Sequence, residues 1–242
     1  MSLRWRVLDR PEPALSELLS GQLHGLTLRG ALPAARCAAL VEALPHARLS
    51  RHRLLQGEPP VCSYGHMLAP SELEPRGADP AEYLRDAEAD HPFFQPLEPD
   101  LFALLAALTG LPAQLATLHG RPCALATVRS LPPGRGIPLH RDTYNRSPIW
   151  EALAPACDPT TRLSWYLALN EAGGELQVCA RSIGLEYGAA AAGDPVPLRT
   201  GDLVLFDAGR LFHQVSPAQG SRLTLGGFAA PDSDRRRLLL WG

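Results

Sequence analysis

The chain has 242 residues, 45% of them hydrophobic, which is enough to bury a substantial core in one large domain. Its 23 basic and 25 acidic residues give a formal net charge of -2, so the charge favours neither nucleic acid nor an anionic membrane surface as a partner. The apolar runs are too short for a membrane span or a signal peptide, and the five scattered cysteines form no CxxC pair, which together predict a cytoplasmic protein with reduced thiols.

The first half of the chain predicts a short strand and helices joined by long loops. Residues 23–30 alternate between apolar and polar side chains, as a strand does, and residues 31–44 have a helical composition. A further helix is predicted over residues 100–110, from an aspartate cap to a glycine stop. Residues 46–98 are rich in Pro, Glu and Arg and predict loops with one short helix near residues 80–88.

From Ala124 onward the residue pattern changes. Short apolar or alternating runs recur between turn signals such as Pro-Pro-Gly, Glu-Ala-Gly-Gly and Thr-Gly-Asp. This rhythm is typical of an antiparallel fold with two sheets, a jelly roll or a barrel. We therefore predict an α+β protein in which N-terminal helices pack on a β-rich core.

We expect a single domain over residues 1–242, built from three parts. A mixed helical part covers residues 1–120 and a jelly-roll core covers residues 121–230. The tail, residues 231–242, holds a charge run followed by an apolar segment. We expect this tail to pack on the domain as a strand or a helix.

The segment GIPLHRDTYNR places His140 and Asp142 two residues apart. Side chains alternate along a strand, so both would point to the same face, and His213 follows on a later predicted strand. Two imidazoles and one carboxylate leave open positions on a metal, as suits Fe(II) enzymes that bind a cosubstrate and O2 together. Taken alone, the pair is more typical of two surface residues, with His213 as a packed strand histidine, because such short patterns arise by chance.

Arg222 follows His213 by nine residues and shares a strand face with Thr224. A buried arginine needs an anion, and a carboxylate held by two guanidinium N–H groups is the natural match. The Thr224 hydroxyl could add a donor. The spacing favours a dicarboxylate bound between a metal and Arg222 over the alternative, an arginine on a surface strand.

These residues occur in order with two further motifs: His140-x-Asp142, His213 and Arg222, with GGEL at 173–176 and GDLVLFD at 201–207. The ordered set resembles the Fe(II)- and 2-oxoglutarate-dependent oxygenases, most closely the prolyl-4-hydroxylase-like branch with its double-stranded β-helix. The resemblance covers roughly residues 22–45 and 124–230. It implies that the predicted core is a double-stranded β-helix (jelly roll).

The resemblance also implies the roles of the five residues. His140, Asp142 and His213 would be the catalytic iron ligands. Arg222 would bind the distal carboxylate of 2-oxoglutarate, with Thr224 as a helper. Fe(II) would be the cofactor, and 2-oxoglutarate and O2 would be cosubstrates.

One position departs from the pattern of that branch. Many members carry a cosubstrate-binding tyrosine just before a Pro-Gly turn upstream of the HxD motif, whereas this chain has Leu131 there. Thr127 and Arg129, at strand spacing from Leu131, are the candidates to compensate as cosubstrate-binding residues.

The presence of Asp142 bears on the reaction. Iron halogenases of this superfamily resemble the pattern but carry a small residue at the carboxylate position, which lets chloride bind. The sequence therefore favours a hydroxylase, or a related desaturation or ring closure, over a halogenase.

Substrate contacts are predicted at Tyr144, Asn145 and Arg146, beside the metal motif, and at Tyr166 on a strand face shared with Ser164. Polar and aromatic groups suit a small polar metabolite, such as a free amino acid or a derivative. A peptidyl or carrier-bound residue is the alternative substrate. A non-catalytic metal-binding β-sandwich module is the alternative function, and the oligomeric state is not predicted.

Overall fold

Two β-sheets face each other, and helices cover the outer side of the larger sheet. The computed structural model describes residues 2–44, 49–52, 61–65, 79–143, 147–180 and 192–242. The helices are α1 (Leu15–Ser20), α2 (Ala34–Ala43), α3 (Pro80–Phe94), α4 (Glu98–Thr109) and α5 (Pro148–Leu153). The strands are β1 (Trp5–Leu8), β2 (Gly25–Leu28), β3 (Leu49–His52), β4 (Val61–Tyr64), β5 (Ala113–Leu115), β6 (Thr117–Leu118), β7 (Arg121–Pro122), β8 (Thr127–Leu131), β9 (Ile137–His140), β10 (Leu163–Ala168), β11 (Leu176–Cys179), β12 (Asp194–Val196), β13 (Leu203–Phe206), β14 (Phe212–Val215), β15 (Arg222–Pro231) and β16 (Leu238–Trp241).

The larger sheet has the strand order β1-β2-β13-β10-β15-β8-β4-β3, with β16 beside β15 and β5 beside β16. The smaller sheet has the order β12-β11-β14-β9. The strands from β8 to β15 pair antiparallel throughout, whereas β1 with β2 and β16 with β5 pair parallel. The structure is therefore α+β, with the antiparallel sheets in the second half of the chain, as predicted.

The outer face of the larger sheet forms the main hydrophobic core. Trp165, which is 1% exposed, and Leu167 pack there against leucines of α4 such as Leu101 and Leu105. Trp165 and Leu167 therefore lie on the face of β10 opposite the one that carries Ser164 and Tyr166. Burying side chains of this size stabilises the fold by roughly 1.5–3 kcal/mol each, so this layer fixes the sheet on which the site is built.

The two sheets meet through a smaller set of apolar residues. Leu176 and Val178 of β11 pack against Val204 and Phe206 of β13. The polar side chains of the larger sheet's inner face therefore lie between two layers of backbone, where water has little access.

The helices begin and end at slightly different residues from those predicted. Gly110 does stop α4, with a φ of 75°, but α4 begins at Glu98 and is not capped by Asp100. The helix expected near residues 80–88 is longer and spans 15 residues to Phe94, and Asp79 caps its start by accepting from the N–H groups of Ala81 and Glu82. The segment before it also contains β3 and β4, where only loops and one short helix were predicted.

The tail forms a strand, one of the two alternatives predicted for it. β16 pairs with β15 through Trp241, opposite Phe228, and β5 lies on its other side. The five cysteines form no disulfide. Among the described residues no helix combines the length and apolar character that a membrane crossing requires.

A buried carboxylate ties the N-terminal segment to the sheet. Asp202, which is 2% exposed, accepts hydrogen bonds from the N–H groups of Gly30 at 2.9 Å and Arg199 at 2.8 Å and forms an ion pair with Arg29. The carboxylate thus joins the end of β2 to the start of β13. β13 in turn pairs with β10, which carries Ser164 and Tyr166 on the inner face.

Asp202→Ala is expected to lower the free energy of unfolding by about 2–4 kcal/mol, because two backbone donors and one guanidinium lose their acceptor. Urea unfolding of the purified protein measures the effect. Asp100→Ala, which removes an exposed ion pair with Arg36, is the matched control and should cost less than about 1 kcal/mol. Equal losses in the two variants would contradict the role of Asp202.

Candidate metal centre

The predicted ligands His140, Asp142 and His213 converge at one end of the smaller sheet. His140 is the last residue of β9, and the antiparallel pairing of β9 with β14 places His213 directly opposite it. Asp142 lies just beyond the end of β9, where its N–H donates to the carbonyl of Ala208 at 3.0 Å. Sequence reasoning placed Asp142 within the strand; the strand in fact stops at His140, but the carboxylate still turns toward the two imidazoles.

The ligand atoms of the three residues all lie within 4.8 Å of one another. His140 Nε2 is 3.7 Å from Asp142 Oδ1, and His213 Nε2 is 3.9 Å from Asp142 Oδ2. The centroids of the two imidazole rings are 4.1 Å apart. A single ion can contact all three groups, and two neutral imidazoles with one carboxylate form a donor set that suits Fe(II).

Each imidazole is oriented by its other ring nitrogen. His140 Nδ1 lies 2.7 Å from the carbonyl oxygen of Pro138, and His213 Nδ1 lies 3.1 Å from that of Leu211. A carbonyl only accepts, so these contacts assign the proton to Nδ1 and leave the Nε2 lone pair facing the centre. This arrangement is the one by which histidine ligands are usually held in metal sites.

Electrostatics keeps the first imidazole neutral. Burial and, to a smaller extent, the neighbouring His213 lower the pKa of His140 to about 3, against the opposing effect of Asp142. A neutral imidazole can bind a metal without first losing a proton, so the site is ready for a cation at neutral pH.

Ser164 holds the carboxylate of Asp142. Its hydroxyl donates to Asp142 Oδ2, and both side chains are buried. Sequence analysis placed Ser164 on the inner face of its strand but did not predict this contact, because the two residues lie on different sheets. The hydrogen bond restrains the carboxylate, with Oδ1 facing His140 and Oδ2 facing His213.

Arg222 and Thr224 lie on the inner face of β15, in the larger sheet. Arg222 is 6% exposed and Thr224 is also buried. Both line a cavity of about 160 Å³ together with Ala168 of β10 and Leu176 of β11. A buried guanidinium beside a cavity suits an anionic ligand, as the sequence predicted.

A glycine makes room for the arginine. Gly174, in the GGEL motif, has a φ of 72°, and a Cβ added there would lie 2.9 Å from Arg222 Cδ. The residue is thus suited both to the left-handed backbone and to close approach by the arginine stem. The motif was noted in the sequence, but its contact with Arg222 was not foreseen.

Thr127 and Arg129 lie on β8, on the inner face of the same sheet. Register places Thr127 opposite Gly226, Arg129 opposite Thr224, and Leu131 opposite Arg222. Directly opposed residues share a face, so all three lie on the face of the sheet that carries Arg222 and Thr224. Their proposed part in cosubstrate binding remains a prediction.

The predicted substrate residues fall into two groups. Tyr144, Asn145 and Arg146 lie outside the described residues. Tyr166 lies on the inner face of β10, as expected, and its ring centroid is 5.7 Å from Arg222 Cζ. Tyr166 is therefore a neighbour of the arginine.

A family comparison identifies the chain. The model for the carrier-protein-independent halogenase WelO5 matches residues 3–186 and 189–242. The chain belongs to this family. The WelO5 family falls within the Fe(II)- and 2-oxoglutarate-dependent oxygenases, the superfamily that the sequence resembled. No curated protein matches the chain in sequence.

Solved structures of low sequence identity share the fold of this WelO5-family member. A 2OG-Fe(II) oxygenase-family oxidoreductase from Burkholderia pseudomallei is 14% identical, with a TM-score of 0.55 over 98% of this chain and 100% of that one. An N-substituted L-amino acid dioxygenase from Burkholderia ambifaria is 16% identical, with a TM-score of 0.59 over 93% and 90%. A Trichoplax adhaerens prolyl hydroxylase, in complex with a hypoxia inducible factor peptide, is 15% identical, with a TM-score of 0.52 over 92% and 91%.

Ser164→Ala is expected to weaken binding of Co(II) or Mn(II) by about 10–100-fold, the scale for losing the partner of a metal ligand. Isothermal titration of the metal-free protein measures it. Ser130→Ala, on β8 opposite Leu223 and on the other face of the sheet, is the control and should leave the affinity unchanged. Equal affinities for the Ser164 variant and the wild type would contradict a positioning role.

A second buried carboxyl lies where β13 ends, next to the Ala208 carbonyl that holds Asp142. Burial raises the pKa of Asp207 to about 6, while Arg210, whose Nη1 is 3.4 Å from Oδ2, opposes the rise. The folded protein therefore holds this proton more strongly than the unfolded chain does. The stability that results is full below about pH 4 and is lost as the pH rises through about 6.

Asp207→Asn removes this titration and should therefore gain stability relative to the wild type between pH 4 and 7. We expect a gain of about 2–3 kcal/mol, since a tenfold change in an ionisation equilibrium corresponds to about 1.4 kcal/mol. Urea unfolding at several pH values measures it. Asp234→Asn, at an exposed position, should show no such trend. A pH-independent difference between Asp207→Asn and the wild type would refute the assignment.

Proposed function

We propose that this protein is an Fe(II)- and 2-oxoglutarate-dependent hydroxylase that acts on an unactivated C–H bond of a small polar metabolite. The observation that carries the proposal is the convergence of the Asp142 carboxylate with two imidazoles whose Nε2 atoms face it. The buried Arg222 beside a cavity supports a dicarboxylate cosubstrate.

The strand order supports a double-stranded β-helix as the frame of the site. Consecutive strands from β8 to β15 divide into the orders β13-β10-β15-β8 and β12-β11-β14-β9 in the two sheets. Each sheet therefore receives strands from both halves of the segment, as in a jelly roll. We propose one domain over residues 1–242, with a mixed helical part over 1–120, the core over 121–230 and the tail over 231–242.

Bound Fe(II), with 2-oxoglutarate and O2, supplies the oxidising power that breaks a C–H bond. His140, Asp142 and His213 would hold the ion. Arg222, with Thr224, would bind the far carboxylate of 2-oxoglutarate and so orient it. The apolar contacts between the two sheets, such as Val178 with Val204, keep water out of the space around them.

The choice between hydroxylation and halogenation depends on one side chain. Membership of the WelO5 family makes halogenation the second candidate. Asp142 argues for hydroxylation, because its carboxylate occupies the place that a halide would need and Ser164 holds it there. A related desaturation or ring closure would use the same ligands.

A free amino acid or a derivative is the substrate class that we propose, with Tyr144, Asn145 and Arg146 as contacts. The fold similarity to an N-substituted L-amino acid dioxygenase supports this choice. The similarity to a prolyl hydroxylase bound to a peptide supports a peptidyl or carrier-bound residue as the alternative. We propose no nucleic acid or membrane partner and a cytoplasmic location, and a non-catalytic metal-binding module is the rival reading.

The proposed function predicts a visible charge-transfer band when Fe(II) and 2-oxoglutarate are added together without O2. After O2 is admitted, succinate should form in the presence of substrate, and screens of amino acids and then peptides should show product 16 Da heavier. Chloride or bromide should leave the product unchanged. Asp142→Ala should abolish hydroxylation because the ion loses a ligand.

Three results would contradict the proposal in different ways. A halogenated product would favour the second candidate. Hydroxylation by Asp142→Ala at the wild-type rate would overturn the ligand assignment. A protein that binds Fe(II) but gives neither the band nor succinate would be a metal-binding module.

A further inference from the structure

We propose that Phe206 is a positioning residue for the candidate metal ligand His213, and that Trp5 of the N-terminal strand holds Phe206 in place. The inference rests on the metal centre of the proposed function and deepens it. It also gives a role to the GDLVLFD motif at 201–207, whose last phenylalanine is Phe206.

The ring of Phe206 packs directly against the imidazole of His213. The two ring centroids are 4.9 Å apart and the ring planes meet at 86°, which is an edge-to-face arrangement. Aromatic rings prefer this geometry over a face-to-face one, so the contact favours one orientation of the imidazole. The contact of Nδ1 with the Leu211 carbonyl fixes one edge of the same ring. Together the two contacts restrain the direction in which Nε2 points.

The residues around Phe206 restrain a second ligand. Phe206 is the last residue of β13, and the carbonyl of Ala208, two residues later, accepts from the N–H group of Asp142 at 3.0 Å. Ser164, whose hydroxyl donates to the Asp142 carboxylate, lies directly opposite Phe206 on β10. One cross-strand pair of the larger sheet therefore contacts ligands that come from the smaller sheet and from the residues after β9.

Trp5 extends this row of side chains to β1, the first strand in the order of the larger sheet. Trp5 lies opposite Gly25 of β2, and Gly25 lies opposite Phe206. The indole lies across the glycine, because a Cβ added to Gly25 would be 2.3 Å from Trp5 Cζ3 and 2.6 Å from Phe206 Cβ. The ring centroids of Trp5 and Phe206 are 6.1 Å apart. Trp5 Nε1 donates to Thr27 Oγ1 at 2.9 Å, which fixes the indole in this position.

The packing around Phe206 separates a positioning role from simple filling of the core. Phe206 is 1% exposed and belongs to the apolar cluster between the sheets, with Val178, which lies opposite His213 on β11. A smaller apolar residue would keep most of this burial but would lose the edge-to-face contact. Weaker metal binding after such a change therefore indicates positioning, whereas lower stability alone does not.

Phe206→Leu tests the assignment, because it removes the ring and keeps a buried apolar side chain. Titration of the metal-free protein with Co(II), followed by the visible bands of the bound ion, should show a Kd raised about 3–10-fold, the scale of a lost aromatic contact. The bands should also change in position or intensity, because they depend on the directions of the ligand atoms around the ion.

Phe94→Leu is the matched control. Phe94 is 2% exposed and makes an edge-to-face contact with Phe93 at the same centroid distance, 4.9 Å, within the main hydrophobic core. Urea unfolding of the metal-free proteins should show similar losses of stability in the two variants. Phe94→Leu should keep the Co(II) Kd and the visible bands of the wild type.

Trp5→Leu tests the second part of the proposal. Phe206 keeps its contact with His213 in this variant but loses the indole that lies against it. The Co(II) Kd should therefore rise by a smaller factor than in Phe206→Leu, and the visible bands should change in the same direction. This variant also tests the whole proposal if Phe206→Leu does not fold.

Failure of this assignment and failure of the proposed function give different results. A wild-type Kd and wild-type bands in Phe206→Leu, or equal losses of affinity in Phe206→Leu and Phe94→Leu, would overturn the role of Phe206. Wild-type values in Trp5→Leu would overturn the role of Trp5, and the whole proposal if that variant stands alone. A wild-type protein that binds no Co(II) would overturn the metal centre as well. The readout is metal binding, so it does not depend on whether the protein hydroxylates or halogenates.

Discussion

The antiparallel pairing of β14 with β9 sets His213 opposite His140, and the rest of the site depends on that register. Side chains alternate along a strand, so a slip of one residue would turn one imidazole to the other face of the sheet. Asp142 lies beyond the end of β9, so strand pairing does not hold it. Its N–H donates to the Ala208 carbonyl, and its carboxylate accepts from the Ser164 hydroxyl. The candidate metal centre is thus built from two strands, one turn and one residue of the opposite sheet.

The two faces of the larger sheet have different roles: the outer face packs against the helices, and the inner face carries the candidate site. Its outer face carries apolar residues such as Trp165, which pack against the helices, whereas its inner face carries Ser164, Tyr166 and Arg222. Because polar groups in a closed interior are costly, the inner face is tolerable only with partners. The apolar layer on the other side supplies the free energy that such a face requires.

The sequence predicted the features that depend on residue type and short spacing. Alternation predicted the inner and outer faces of β10, and the HxD motif, His213 and Arg222 predicted a cluster that the structure brings together. The contact of Ser164 with Asp142 joins two sheets, and no short sequence pattern predicts a contact between residues so far apart in the chain. The length of α3 was missed because its polar composition hides a helix that an Asp79 cap begins. Alternation placed Tyr166 on the correct face but could not show its distance from Arg222.

Gly174, in the turn before β11, lies so close to the aliphatic part of Arg222 that this turn limits where the arginine side chain can lie. The space that the guanidinium can occupy therefore depends on the size of residue 174, which belongs to a connection between strands and not to a strand. A Cβ at that position would also come within 3.1 Å of the backbone oxygen of Ser216 and 3.2 Å of Ala218 Cα, so a larger residue would displace the connection after β14 as well as the arginine. The smallest residue type therefore lets two connections and one buried cation share the same end of the protein.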